Sequence, residues 1–296
     1  MKAKEILILF LSLSTFIISA CTGNPFSDDE ISPGKSQITG KVEVSDNNQS
    51  SEGVYVWLEG FDIGTFTDQD GEFEITLPST AQNSGGATGI FNLYYYLANY
   101  KLTKTELTVR RGEFVFATGE INNKGELQRP KFLSRILDIS TVLTPPTADV
   151  DSSIFMKVEV VLSSETDSVT VLYPREPFDG PNKLIAPLFV KNLETGAAFY
   201  IEPTLVGINE DDIITIFPGR PFVRTMLLLM SKGVLAEGEY EIIPYLRISQ
   251  PDVPAELVNN LIEDIDSFGL DYLNLPFLRT NGVLSVIKGK GGEGGN

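Results

Sequence analysis

Residues 53–77 read Gly-Val-Tyr-Val-Trp-Leu-Glu-Gly-Phe-Asp-Ile-Gly-Thr-Phe-Thr-Asp-Gln-Asp-Gly-Glu-Phe-Glu-Ile-Thr-Leu. Short runs of alternating character, Val54 to Glu59, Ile63 to Thr67 and Glu72 to Leu77, are separated by turn residues. A strand points successive side chains to opposite faces, so a period of two marks half-buried β-structure. Asp70-Gly71 is expected to close a hairpin with Gly71 at positive φ, because primed turns need that conformation and glycine adopts it freely. Pro78 ends the last run, since it cannot donate to a sheet ladder.

Working outward, Ile38 to Val44 alternates before this stretch, and Asn92-Leu-Tyr-Tyr-Tyr-Leu97 follows it. Gly40-Lys-Val42, Gly53-Val-Tyr-Val-Trp-Leu58 and Gly64-Thr-Phe-Thr-Asp-Gln-Asp-Gly-Glu-Phe73 together resemble the carboxypeptidase-regulatory-like domain. The likeness covers residues 37–120. It implies a small transthyretin-like β-sandwich, of a kind common in secreted and envelope proteins. That family carries Gly-Tyr in a later strand. Asn99-Tyr100 stands there in this chain, and asparagine also tolerates left-handed φ. The segment from Arg110 to Asp138 departs from the family pattern. The resemblance implies a folding, docking or binding module and brings no catalytic residues.

Thr144-Pro-Pro-Thr-Ala-Asp-Val-Asp-Ser-Ser153 has the composition of a short stiff linker. Beyond it the alternation returns in Ile154 to Leu162, Ser168 to Tyr173, Ala186 to Lys191, Ala198 to Ile201, Asp212 to Phe217, Phe222 to Met230, Glu239 to Arg247 and Val283 to Lys288. Many short strands between Gly, Pro and Asn turns argue for a second antiparallel sandwich. Phe217-Pro-Gly-Arg220 before a strand, then Gly238-Glu-Tyr240 opening the next, is loosely similar to immunoglobulin-like envelope domains. One helix is expected over 254–268, with Leu257, Val258, Leu261, Ile262, Ile265 and Phe268 on its apolar face and Glu256, Glu263, Asp264 and Asp266 in water. The fold class is therefore all-β: two antiparallel β-sandwich domains in tandem, residues 37–143 and 154–288, joined by 144–153, with one short helix near the C-terminus. Residues 289–296 form a glycine-rich tail.

The N-terminal end reads differently. Lys2 and Lys4 precede an apolar run from Ile6 to Ile18, then Ser19-Ala20-Cys21. A charged start, a short apolar core and small residues before a cut mark a secretory signal peptide, residues 1–20. The run is shorter than the roughly 18–20 residues of a membrane span. Small residues directly before a cysteine resemble a bacterial lipobox, which implies cleavage before Cys21 and acylation there. Cys21 is the only cysteine in 296 residues, so it can form no disulfide within the chain. Residues 21–36 would then be a polar tether, placing the protein on the lipid of a bacterial cell envelope at the outer membrane.

Composition removes several chemistries. The chain has no histidine, which eliminates the commonest general base and every Ser-His or Cys-His nucleophile pair. With a net charge of −17, it lacks the Lys/Arg patches that nucleic acid requires. Arg110-Arg111 and Arg129 with Lys131 are the densest basic spots, too sparse for such a footprint. The same acidity opposes docking on anionic lipid, so attachment falls to the acyl chains. No cofactor is expected. What remains is carboxylate, Lys or Tyr chemistry and an oxygen-ligand calcium site. Asp68, Asp70 and Glu72 have the spacing of part of a calcium loop, and equally that of a tight turn. Carboxylates also gather at Asp149 and Asp151, at Glu210-Asp211-Asp212 and on the expected helix, where solvated surface explains them.

Aromatic residues give the sharper candidate. If Val54, Val56 and Leu58 point inward, Tyr55 and Trp57 share the opposite face, and Tyr94 and Tyr96 share a face by the same rule. Rings facing solvent on a sheet can stack on sugars or anchor a protein; otherwise they pack against the second domain or under a loop. The expected function is thus a non-catalytic, lipid-anchored envelope protein that binds a protein or glycan partner or scaffolds an assembly. The rivals are a carboxylate-dependent glycan enzyme and a passive spacer.

Overall fold

The computed structural model describes residues 35–45, 50–173, 187–201, 203–205, 213–265 and 268–289. The expected signal peptide and Cys21, nearly all of the tether, the Glu210-Asp211-Asp212 cluster, Asp266 and most of the tail lie outside the described residues.

The first half contains β1 (Gln37–Val44), β2 (Tyr55–Leu58), β3 (Ile63–Phe66), β4 (Glu72–Thr76), β5 (Gly89–Tyr96), β6 (Thr103–Arg110), β7 (Glu113–Phe114) and β8 (Lys131–Leu133). They form two sheets, ordered β4-β1-β8 and β3-β2-β5-β6-β7. Alternation decides which side chains meet between them: Val54, Val56, Leu58, Leu93 and Tyr95 from one sheet pack on Ile38, Val42, Phe73 and Ile75 from the other. The segment after Arg110 closes the unit through β8, lying parallel to β1 with Val42 opposite Lys131 and Val44 opposite Leu133.

The Asp70-Gly71 turn differs from a hairpin. Gly71 has φ +77°, as expected. Yet β3 pairs with β2 while β4 pairs with β1, so the turn carries the chain from one sheet to the other. It is closed locally, by Gly71 N–H donating to the Asp68 carbonyl at 3.0 Å and Asp68 N–H donating to the Glu72 carbonyl at 3.0 Å.

The second half contains β9 (Asp138–Thr144), β10 (Thr147–Asp149), β11 (Ile154–Ser163), β12 (Val169–Leu172), β13 (Leu188–Asn192), β14 (Ala198–Ile201), β15 (Thr204–Leu205), β16 (Ile213–Ile216), β17 (Phe222–Met230), β18 (Gly238–Pro244), β19 (Arg247–Ile248) and β20 (Gly282–Ile287). Its sheets are β15-β17-β11-β9, β10-β20-β18-β13-β14 and the small β16-β12-β19. Met156, Val158, Val160 and Leu162 of β11 meet Val190, Ile242, Leu284 and Val286 in the core.

The linker expected at 144–153 is part of this second unit. β9 pairs along its length with β11, and β10 runs parallel to β20. Leu137, Ile139, Leu143 and Ala148 belong to the second core. The changeover falls instead between Leu133, the end of β8 in the first core, and Leu137. Proline and small polar residues at 144–153 serve crossings between the two sheets, from β9 to β10 and back to β11, where turn composition is equally needed.

Between β19 and β20 the chain makes a long excursion holding α1 (Ala255–Asn259) and a 3-10 helix, Leu270–Asn274. The helix expected over 254–268 stops early. Asn259 and Asn260 are poor helix formers, and the chain tightens as Leu261 N–H donates to the Val258 carbonyl at 2.9 Å. Among the described residues no helix is long and apolar enough to cross a membrane.

Candidate functional site: an aromatic seam between the sandwiches

The face of β2 and β5 that carries Tyr55, Trp57, Tyr94 and Tyr96 does not look into solvent. These side chains are 5%, 3%, 8% and 6% exposed. The solvent-facing binding surface expected from the alternation is therefore corrected to a buried seam. They share a cluster with Phe189 of β13, with Ile243 and Tyr245, and with Leu257, Val258, Ile262, Tyr272 and Leu275 of the excursion. The physical reason is area: four large rings on one sheet face form an apolar patch that water does not tolerate uncovered.

The rings pack closely within each side of the seam. Trp57 and Tyr94 stack with centroids 5.9 Å apart and planes 28° from parallel. Phe189 and Tyr272 stack at 5.4 Å and 12°, and Tyr245 meets Tyr272 edge-on at 4.7 Å. Tyr272 has a polar handle as well, its hydroxyl donating to the Leu246 carbonyl at 2.9 Å and accepting from Arg279 Nη1 at 3.1 Å.

Asn99, fully buried, ties the two units through main chain. Its Nδ2 donates to the carbonyls of Leu137 at 3.0 Å and Leu278 at 2.8 Å, while its Oδ1 accepts from Leu278 N–H at 3.0 Å. It is not one of the non-glycine residues with positive φ, so the left-handed turn expected of Asn99-Tyr100 is replaced by a side-chain role. Beside it, Ala98 N–H donates to the Pro276 carbonyl at 2.7 Å, and Gln250 Nε2 donates to the Ala98 carbonyl at 2.7 Å.

Burial pushes the phenols up in pKa. At Tyr55 desolvation leads and the Asp62 charge adds to it. At Tyr94 desolvation leads, with Glu59 and Glu256 adding and a hydrogen bond with Asn92 opposing. Tyr96 is raised by burial and then by Tyr272. These three phenols stay protonated over the physiological range.

The other candidates sit apart from it. Asp68 Oδ1 accepts from the N–H groups of Asp70 at 3.0 Å and Glu72 at 2.9 Å. That carboxylate thus folds its own turn, and Asp70 and Glu72 are exposed around it. Among the described residues no group of three Asp, Glu, Cys or His side chains could hold a metal ion. Asp149 likewise caps its own loop, accepting from Asp151 N–H at 2.8 Å, and Asp151 lies 3.5 Å from Lys232. Lys131 pairs with Glu120, and its hydrogen bond holds that carboxyl below the usual range.

Two features escaped the reading of the sequence. Asn99 carries no pattern that marks it as a tie between units. Phe66 is half exposed beside the seam, and its signal was present: in the alternation of Ile63-Gly-Thr-Phe66 it falls on the same face as Gly64, opposite Tyr55 in register. No family model matches this chain, and no curated protein shows significant similarity to it.

Proposed function

We propose that this chain is a non-catalytic, lipid-anchored protein of the bacterial cell envelope, held at the outer membrane through Cys21, which offers its two β-sandwich units as one body to a protein or glycan partner. The observation that carries the reading is the seam. A buried aromatic joint, with Asn99 hydrogen-bonded across it, fixes the orientation of one unit to the other, as a presenting or scaffolding module requires. A passive spacer has no need of that rigidity. The chemistry supports the same side: the chain has no histidine, and among the described residues the clearest departures from ordinary pKa are phenols raised by packing.

Support for the anchor comes from Ser19-Ala20-Cys21 after a short apolar run, with Cys21 the sole thiol. Cys21→Ser is expected to abolish incorporation of a clickable palmitate analogue and to shift the protein out of the membrane fraction. Undiminished labelling of that variant would refute the anchor. Crosslinking in the native envelope then identifies the partner.

A further inference from the structure

The seam covers most of the aromatic face but leaves its edge open. There, between strand β3 and the end of helix α1, lies a cleft of about 580 Å³, a size suited to a small ligand or the end of a chain of sugars. Phe66 forms one side, 49% exposed, its ring 5.0 Å from that of Tyr55 and inclined by 44°. The Tyr55 phenol lies over Gly64 and forms the floor. A Cβ there would fall 2.2 Å from the Tyr55 hydroxyl, so only glycine lets the phenol lie across the edge strand.

Polar groups converge from both units. Asp62 sits in a left-handed conformation, φ 55°, at the tip of the β2–β3 turn. Aspartate is among the residues that adopt this conformation readily in turns, and here it sets the Asp62 carboxylate beside Asn260. The Asp62 carboxylate accepts from Asn260 Nδ2, and Asn260 Oδ1 in turn accepts from the Tyr55 hydroxyl at 3.5 Å. Asn274, exposed, adds a second amide to the lining.

We infer that this cleft is a binding site for neutral oligosaccharide. The inference deepens the proposed binding role and rests on it. An open aromatic ring offers the flat apolar surface on which the C–H face of a pyranose stacks. Planar carboxylate and amide groups beside it provide the paired acceptors and donors that vicinal hydroxyls need. A chain of net charge −17, with a carboxylate in the cleft, disfavours an anionic ligand. One carboxylate is too few for a divalent cation.

The test titrates the full acylated chain, in detergent, with neutral hexasaccharides of glucose (α- and β-linked), mannose, xylose and N-acetylglucosamine, and with an extended hexapeptide. At least one hexasaccharide is expected to bind. Phe66→Ala and Asp62→Gly are each expected to weaken that binding about ten-fold or more. Glycine adopts the left-handed turn without strain, so Asp62→Gly removes the carboxylate while sparing the backbone. A loss of affinity at an unchanged thermal midpoint supports the site. The inference is overturned by no binding of any hexasaccharide at roughly 10 mM, by binding that both variants leave intact, or by binding of the peptide alone, which would make β3 an edge for strand addition. The two readings fail separately. A chain acylated at Cys21 that binds no sugar sinks only the glycan site; a bound hexasaccharide recovered as shorter fragments sinks only the non-catalytic reading.

Discussion

At the scale of single residues, Asn99 shows how much one side chain can carry when it is buried and fully bonded. Removing it leaves the carbonyls of Leu137 and Leu278 and the N–H of Leu278 without their partner. Stranding buried groups of this kind costs roughly 1–3 kcal/mol each, so Asn99→Ala is expected to lower unfolding free energy by at least about 2 kcal/mol in a urea titration. Asn99→Asp keeps the acceptor but loses the donor, and is expected to fall no less. Gly71 is the second such position. A Cβ there would lie 2.4 Å from the Val42 carbonyl, at a φ that a β-branched residue resists. Gly71→Val should cost about 1 kcal/mol or more, read as a shift of the denaturant midpoint. The tyrosines set the response to pH. Burial raises their folded-state pKa, so the folded chain holds the proton that the unfolded chain releases near pH 10. Stability from this source is fully present below about pH 10 and is lost as pH rises beyond it. Urea midpoints should therefore be insensitive to tyrosine ionisation up to that point and fall steeply above it, together with the appearance of phenolate absorbance.

At the scale of elements, the strands were the most legible part of the sequence and the connections the least. The alternation in Val54 to Leu58 separates the core-facing valines from Tyr55 and Trp57, and the structure keeps that division. What covers the outer rings could not be read, because Leu257, Tyr272 and Phe189 are far away in sequence and only the tertiary fold brings them there. The Asp70-Gly71 turn was legible as a turn but not as a crossing between sheets, since local chemistry fixes φ and not pairing. The prolines of 144–153 look the same in a linker between domains and in a crossing between the sheets of one sandwich. The helix was legible in its apolar face but not in its length. Its energetics follow from burial: Leu257 is fully buried and Leu261 only partly. Leu257→Ala is expected to cost about 2–5 kcal/mol, and Leu261→Ala clearly less. Charge reversal at exposed Glu263 should leave stability within about 0.5 kcal/mol, measured by the same unfolding titration.

At the scale of the whole molecule, the two sandwiches have separate cores joined by a third apolar cluster that neither owns. The excursion between β19 and β20 acts as a wedge. Its helix and 3-10 turn share one apolar cluster with Tyr55, Trp57, Tyr94 and Tyr96 of the first unit, and Tyr272 of that turn packs on Phe189 of the second. A joint built of buried rings and buried backbone hydrogen bonds couples the unfolding of its two sides, unlike the small polar interfaces that let domains move. The chain supplies its own probe of this coupling, since Trp57 is its only tryptophan and lies in the joint. The most direct measurement is equilibrium urea unfolding followed both by Trp57 fluorescence and by far-ultraviolet circular dichroism. One shared cooperative transition, with the two signals coincident, is the result a single rigid body requires. Trp57 becoming solvent-exposed at low urea, while most β-structure persists to a later transition, would contradict it and leave two independent sandwiches on a hinge.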